Sequence, residues 1–169
     1  MTLLIRKIQR PDAPAFRACL DSVARERKYL AQVEALPLER VEAFVSQSVE
    51  NDAAQFVALE GGELVGWCDV FPHWAYALQH AGSLGMGVRE DFRGRGIGER
   101  LLRATLDDAL RKGIYRVTLE ARADNLRAIR LYERVGFIHE GVARAGLRFD
   151  GRFHDAVRMA LLQGPASTA

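Results

Sequence analysis

Long apolar runs, paired cysteines, clustered histidines and a strong net charge are all missing from this sequence. No stretch approaches the ~20 apolar residues of a membrane span, and the opening MTLLIRKIQR holds too short an apolar run for a secretory leader. A membrane partner is therefore not expected. The only cysteines, Cys19 and Cys68, show no CxxC spacing, so two buried free thiols in a reducing cytoplasm are expected rather than a disulfide. His73, His80, His139 and His154 do not fall at metal-ligand spacing, and no metal is expected. The 24 basic and 22 acidic residues leave a net charge of +2, too small to point to nucleic acid. Repeats and low-complexity segments are absent too, apart from a tail-like QGPASTA at the end.

What is present fits one globular domain over residues 1–169, with 49% hydrophobic and 27% charged residues. Arginine carries most of the positive charge, much of it between Arg89 and Arg152, a local bias that suggests an anionic ligand. LLIRKIQ alternates as a strand, and Pro11-Asp12 opens a helix reaching about Lys28. A second helix is predicted over roughly 38–50, and QFVALEGGELVGWCDVF reads as a hairpin turning at Gly61-Gly62. GSLGMGV is a short apolar strand, residues 97–112 carry one apolar helical face, and RVTLEA is a strand. A short helix from Asp124 or Asn125 to Val135 follows, then a hairpin turning at Asp150-Gly151. The expected class is α/β, with helices on the faces of a mixed sheet.

The stretch EDFRGRGIGERLLRATL carries the chemistry. The first turn of a helix exposes unpartnered N–H groups and positive dipole charge, and so accepts a phosphate if the backbone can come close. Gly94, Gly96 and Gly98 remove the Cβ atoms that obstruct such an approach, while Arg93 and Arg95 add charge. The alternative is a flexible turn with solvated arginines. No Lys-Ser/Thr follows, which excludes a nucleotide P-loop. The bulky REDFR before the glycines argues against a dinucleotide fingerprint.

Arg93, Gly96 and Gly98 fit [QR]-x-x-G-x-[GA], and LEARADNLRAIRLYERVGF follows as a strand, an Asn and a short helix. In these two stretches the sequence resembles the GNAT N-acetyltransferase superfamily, firmly over about residues 82–162. The closing EGVARAGLRFDGRFHDAVRMALL is similar to bacterial L-amino-acid N-acyltransferases, whereas TLEARADN…AIRLYE is similar to enzymes that acetylate ribosomal-protein N-termini. The resemblance implies a mixed, mostly antiparallel sheet flanked by helices, acetyl-CoA as donor, no acyl-enzyme, and room for a homodimer. Carried over by position, the backbone from Arg93 through Gly94, Arg95, Gly96 and Ile97 to Gly98 would hold the pyrophosphate. Main-chain groups of Met86, Gly87 and Val88 would pair with the pantetheine arm. Asn125 would contact that arm or cap its helix, and Tyr132 would protonate the departing thiolate. Ala121 departs from the family pattern, where Val is more usual.

The residues read on their own leave alternatives open. Tyr132 shares a face with Ala128 and Val135, as a core tyrosine would. An amine acceptor is mostly ammonium at neutral pH and must lose a proton. Glu120, near the carboxyl end of its strand, is the candidate base, and its twelve-residue spacing from Tyr132 is similar to the base–acid pair of the ribosomal N-terminal acetyltransferases; the alternative is a carboxylate paired with a nearby arginine. Glu26, His80 and Ser83 are substitutes for that role. Asp155, mid-strand, reads as a structural hydrogen-bond acceptor. Glu26, Tyr29 and Trp74 are expected at the acceptor site, with Trp67 and Phe71 as further candidates for its lining. The favoured acceptor is a primary amine on a small molecule such as an amino acid. A protein N-terminus and a non-catalytic acyl-CoA sensor are the alternatives.

Overall fold

The computed structural model describes residues 2–168. Among them, seven strands form one sheet in the order β1-β2-β3-β4-β5-β7-β6, with two helices on each face. The strands are β1 (Leu3–Lys7), β2 (Ala54–Glu60), β3 (Glu63–Pro72), β4 (Ala81–Val88), β5 (Arg116–Arg122), β6 (Ile138–Phe149) and β7 (Arg152–Leu162). The α-helices are α1 (Ala13–Ala24), α2 (Leu38–Glu50), α3 (Ile97–Arg111) and α4 (Leu126–Val135). Helix α1 ends four residues before the predicted Lys28, at a loop in which Arg27 takes a φ of +53°. Strand β6 begins at Ile138, earlier than the sequence pattern suggests, because β7 supplies an edge for it to pair with from Ile138↔Ala160 onward. Both predicted hairpin turns form, and Asp150 and Gly151 both adopt positive φ (+49° and +81°), as a two-residue turn between twisted strands requires.

The two faces are packed by different helices. On one, Ile97, Leu101, Leu102, Leu106 and Ala109 of α3 lie on Val65, Cys68 and Val70 of β3. Leu101 and Leu102 are fully buried, so truncating either to Ala should cost about 2–5 kcal/mol. On the other face, Phe16, Cys19 and Val23 of α1 and Val41 and Val45 of α2 cover Val57 and Trp67. Both cysteines are free and buried, as expected. Among the described residues, no helix is long and apolar enough to cross a membrane.

All neighbouring strands are antiparallel except β4 and β5, joined by the α3 crossover. Their parallel ladder runs only from Ala81↔Arg116 to Ser83↔Thr118. Beyond it β4 stays with β3 as far as Val88↔Gly66, and β5 stays with β7 as far as Arg122↔Ala156. The sheet therefore opens along its middle, leaving one edge of Leu84–Val88 without a strand partner.

Candidate active site

That opening is a cleft of about 800 Å³, lined by Leu84–Val88 on one side and Leu119–Ala121 on the other. Gly94, Gly96 and Gly98 close one end, α4 contributes Asn125 and Tyr132, and Tyr29 and Leu30 lie over it from the loop after α1. Register separates two sides. Ser83, Gly85 and Gly87 share a face with Thr118, Glu120 and Arg122, toward α1 and α2. Leu84, Met86, Val88 and Leu119 face α3 and α4, where Tyr132 also lies.

The glycine loop joins β4 to α3 through two left-handed turns. Glu90–Phe92 make a 3-10 turn, and Gly94 and Gly96 then adopt φ of +76° and +77°, conformations that L side chains strain to reach. The backbone N–H groups from Gly94 to Glu99 find no acceptor among the described residues. A Cβ at Gly94 or Gly96 would project into open space. At Gly98 it would stand 3.3 Å from Leu131 Cδ2 and 3.5 Å from Met86 Cε, so this glycine permits helix packing rather than ligand approach. Ile97 turns its side chain into the core and offers only its N–H to the loop. Six unpartnered donors, three in the loop and three in the first turn of the fifteen-residue α3, are groups that could hold a pyrophosphate.

The arginines of the loop depart from expectation. Arg93 turns away from the cradle, donating to Val88 O (2.7 Å), pairing bidentately with Glu26 (Nη1 to Oε2 2.9 Å) and stacking on Tyr29 at 5.2 Å. Arg95 pairs with Glu60 at 3.1 Å and stacks on Phe92. Carboxylates from other elements claim both guanidinium groups, a long-range pairing that local sequence does not reveal. Arg93 still borders the cleft, but its guanidinium is taken up by Glu26, and the other cations of the lining are Arg127, Arg130 and Arg134 of α4. Their helical spacing is the signal sequence reading passed over. Glu26 is likewise a partner of Arg93 rather than an acceptor contact, although Tyr29 does line the cleft.

Tyr132 is buried, its ring packed on Phe137, and burial raises its hydroxyl well above the ordinary tyrosine range. It lines the cleft, and its hydroxyl finds no hydrogen-bond partner among the described residues. A neutral phenol there can donate a proton. Asn125 caps α4, its Oδ1 accepting from Ala128 N at 3.3 Å, so its side chain serves the helix first. Glu120 lines the cleft as a paired carboxylate: Arg158, opposite it in register on β7, donates from Nε at 2.6 Å. Asp155 accepts from Ala145 N at 2.8 Å, a structural bond as expected. Trp74 is a correction. It is 93% exposed in the β3–β4 connection and borders a separate cavity with Phe44, Phe71 and Lys112. It projects from a loop at the end of β4 where the sheet is still closed. His80 and Ser83 belong to that same end and do not line the cleft.

The family model for the Acetyltransferase (GNAT) family matches residues 16–137. The chain belongs to the GNAT acetyltransferase family. It is 40% identical over 99 residues to N-alpha-acetyltransferase RimI of Mycobacterium tuberculosis, a match covering 56% of this chain and 58% of that protein. It is 36% identical over 84 residues to the ribosomal protein bS18-alanine N-acetyltransferase of Salmonella typhimurium, covering 50% of this chain and 57% of that protein. A mycothiol acetyltransferase from Corynebacterium aurimucosum is 48% identical over 52 residues, 31% of this chain and 17% of that protein. The chain thus spans at most about three-fifths of these three relatives. A GNAT acetyltransferase structure from Streptococcus pneumoniae superposes with a TM-score of 0.89 at 25% identity, covering 96% of this chain and 100% of that one. One from Salmonella typhimurium, solved with acetyl-CoA, gives 0.91 at 18% identity over 98% of this chain and 96% of that one. The overall fold is thus a GNAT fold, and GNAT acetyltransferases use acetyl-CoA.

Proposed function

We propose that the protein transfers the acetyl group of acetyl-CoA to the primary amine of a small zwitterion, an amino acid or a close analogue. The observation that carries the acceptor choice is the Glu120–Arg158 pair. The two side chains stand side by side in register on β5 and β7, half exposed (51% and 61%), with Glu120 in the cleft wall. A carboxylate next to a guanidinium complements an ammonium next to a carboxylate, and Arg158 has nitrogens beyond Nε to offer in a fixed fork.

Acetyl-CoA supplies an activated acyl thioester. The N–H groups of Gly94 to Glu99 hold the pyrophosphate, and Arg127 and Arg130 add charge from α4. The free main-chain edge of Met86, Gly87 and Val88 pairs with the pantetheine arm and gives an N–H to the thioester carbonyl, a stabilisation that grows as negative charge develops on that oxygen. Tyr132, on the α4 side, gives its proton to the leaving sulfur. Both cysteines are absent from the cleft wall, and burial raises both thiols, Cys19 to about 12. That favours direct attack by the amine over an acyl-enzyme.

A protein N-terminus is the second reading, favoured by the 40% identity to RimI. Thiol release from acetyl-CoA with a free amino acid, its methyl ester and an N-terminal peptide separates them. The ester lacks the carboxylate that Arg158 would hold and should react at least ~10-fold worse, the size of one lost charged contact. Equal rates for acid and ester with faster peptide turnover would move the assignment to protein N-termini.

A further inference from the structure

A second carboxylate stands on the acceptor side of the opened sheet, and no residue pattern drew attention to it. Asp69 lies on β3 directly opposite Gly85, the first glycine of β4 past the end of the β4–β5 ladder. Its residue-level exposure is only 9%. Gly85 has no side chain, and Asp69 occupies the room one would need: its Oδ1 lies 3.0 Å from where a Gly85 Cβ would be. Trp67 does the same beneath Gly87. Gly85 itself lines the cleft, so the carboxyl sits just behind the wall, on the same face as Glu120.

We propose that Asp69 takes the proton from the acceptor ammonium, reaching it through the gap at Gly85, directly or across one water. This rests on the acetyltransferase reading and assigns its base. The ammonium N–H bond breaks, its proton passes to an Asp69 carboxylate oxygen, and the freed lone pair attacks the acetyl carbon. The C–N bond forms as the C–S bond breaks. The sulfur takes the Tyr132 proton, the second nitrogen proton returns to the tyrosine oxygen, and Asp69 releases its proton to solvent.

The surroundings suit a base. Burial raises Asp69 to about 7, with the Gly85 N–H opposing the rise, and a base poised near operating pH is the efficient one. From α1 the buried titratable group on this face is Cys19, held neutral at about 12 by its own burial. Strand β2 brings Gln55 in register with Asp69, α2 brings Ser48, and β4 brings glycine. Glu26 and Arg93 beyond α1 neutralise each other. Gln55 accepts from Ser48 at 2.6 Å through Oε1, while its Nε2 is fully buried and finds no acceptor among the described residues. Glu120, tied to Arg158, is left to hold the ammonium.

The test compares the pH profile of kcat/KM for CoA release in the wild type, Asp69→Asn, Gly85→Ala and Glu120→Gln, with CoA affinity measured by calorimetry. The wild type should show an acidic limb near pH 7. Asp69→Asn should lose ~10²-fold in kcat/KM and lose the limb, with CoA affinity unchanged. Gly85→Ala, which puts a methyl in the gap, should slow turnover with Asp69 intact and covers the case of an Asn variant that fails to fold. Glu120→Gln should raise the acceptor KM and keep the limb. An active, folded Asp69→Asn that retains the limb, a parallel loss of CoA binding, or a limb removed by Glu120→Gln overturns the Asp69 assignment alone. A wild type that releases no CoA with any amine overturns the acetyltransferase reading itself.

Discussion

The two sides of the cleft are built on different principles. The donor side is made of backbone: a free strand edge, two left-handed glycines and a helix N-terminus, all within residues 84–99. The proposed acceptor side is made of side chains from scattered elements: Glu120 of β5 and Tyr29 after α1 in the wall, Arg158 of β7 paired with Glu120, and Asp69 of β3 behind Gly85. A fold that fixes its donor with main-chain atoms can exchange acceptor side chains freely without losing the donor.

The sharpest break in that symmetry is Tyr132, which serves both sides. Tyr132→Phe keeps the ring packed on Phe137 and removes only the hydroxyl. Under conditions where chemistry limits turnover, kcat should fall ~10²-fold or more with CoA affinity nearly constant, the size of a general-acid contribution. Stopped-flow thiol release reads it, and wild-type turnover would remove Tyr132 from the chemistry.

On the donor side, Gly96→Val forces a β-branched residue to a φ of +77°. CoA affinity should fall ~10-fold or more, over about 1.4 kcal/mol. Gly98→Ala should act differently: its Cβ meets Leu131 and Met86 rather than the ligand, so thermal stability should drop more than CoA binding. Calorimetry and melting curves on the two variants separate cradle from packing.

Arg93 tests how firmly the sides are joined. Its bond to Val88 and its bidentate pair with Glu26 tie the donor strand to the loop carrying Tyr29. Arg93→Lys cannot reproduce the fork. It should raise the acceptor KM several-fold and leave CoA affinity within about twofold, since the guanidinium faces away from the cradle. A CoA defect with a normal acceptor KM would return Arg93 to the phosphate.

The smallest effect is a stability one. Asp69 is raised from an ordinary 3.8 to about 7. Its neutral form therefore contributes stability that is complete below about pH 4 and lost as pH rises through 7. Asp69→Asn lacks that dependence. Its melting temperature should gain on the wild type by several degrees between about pH 5 and 8, and parallel melting curves would show a carboxyl that is not buried in the charged form.

This contrast also explains what the sequence disclosed. The cradle is local: glycine spacing, a following apolar helix face and Asn125 before α4 are contiguous, so their geometry follows from neighbours in the chain. Both hairpins and the four helices are legible for the same reason, whereas the division of the helices into a pair on each face is not. The partner of Arg93 is 67 positions away and that of Glu120 is 38, so neither pairing has a local signal. Asp69 looks like one polar residue in an otherwise buried strand, and only the β3–β4 register sets it against Gly85. Trp74 misleads because an aromatic near a strand end suggests a pocket, whereas here it projects from a loop.

Two-substrate kinetics on crossed variants test the division between the sides most directly. Gly96→Val should raise the KM for acetyl-CoA ~10-fold and leave the amino-acid KM alone, while Arg158→Ala should do the reverse, each shift being the size of one lost charged or phosphate contact. If both variants move the same KM, or if Arg158→Ala leaves the acceptor KM unchanged, the donor and acceptor sides are not divided between backbone and side chain as described.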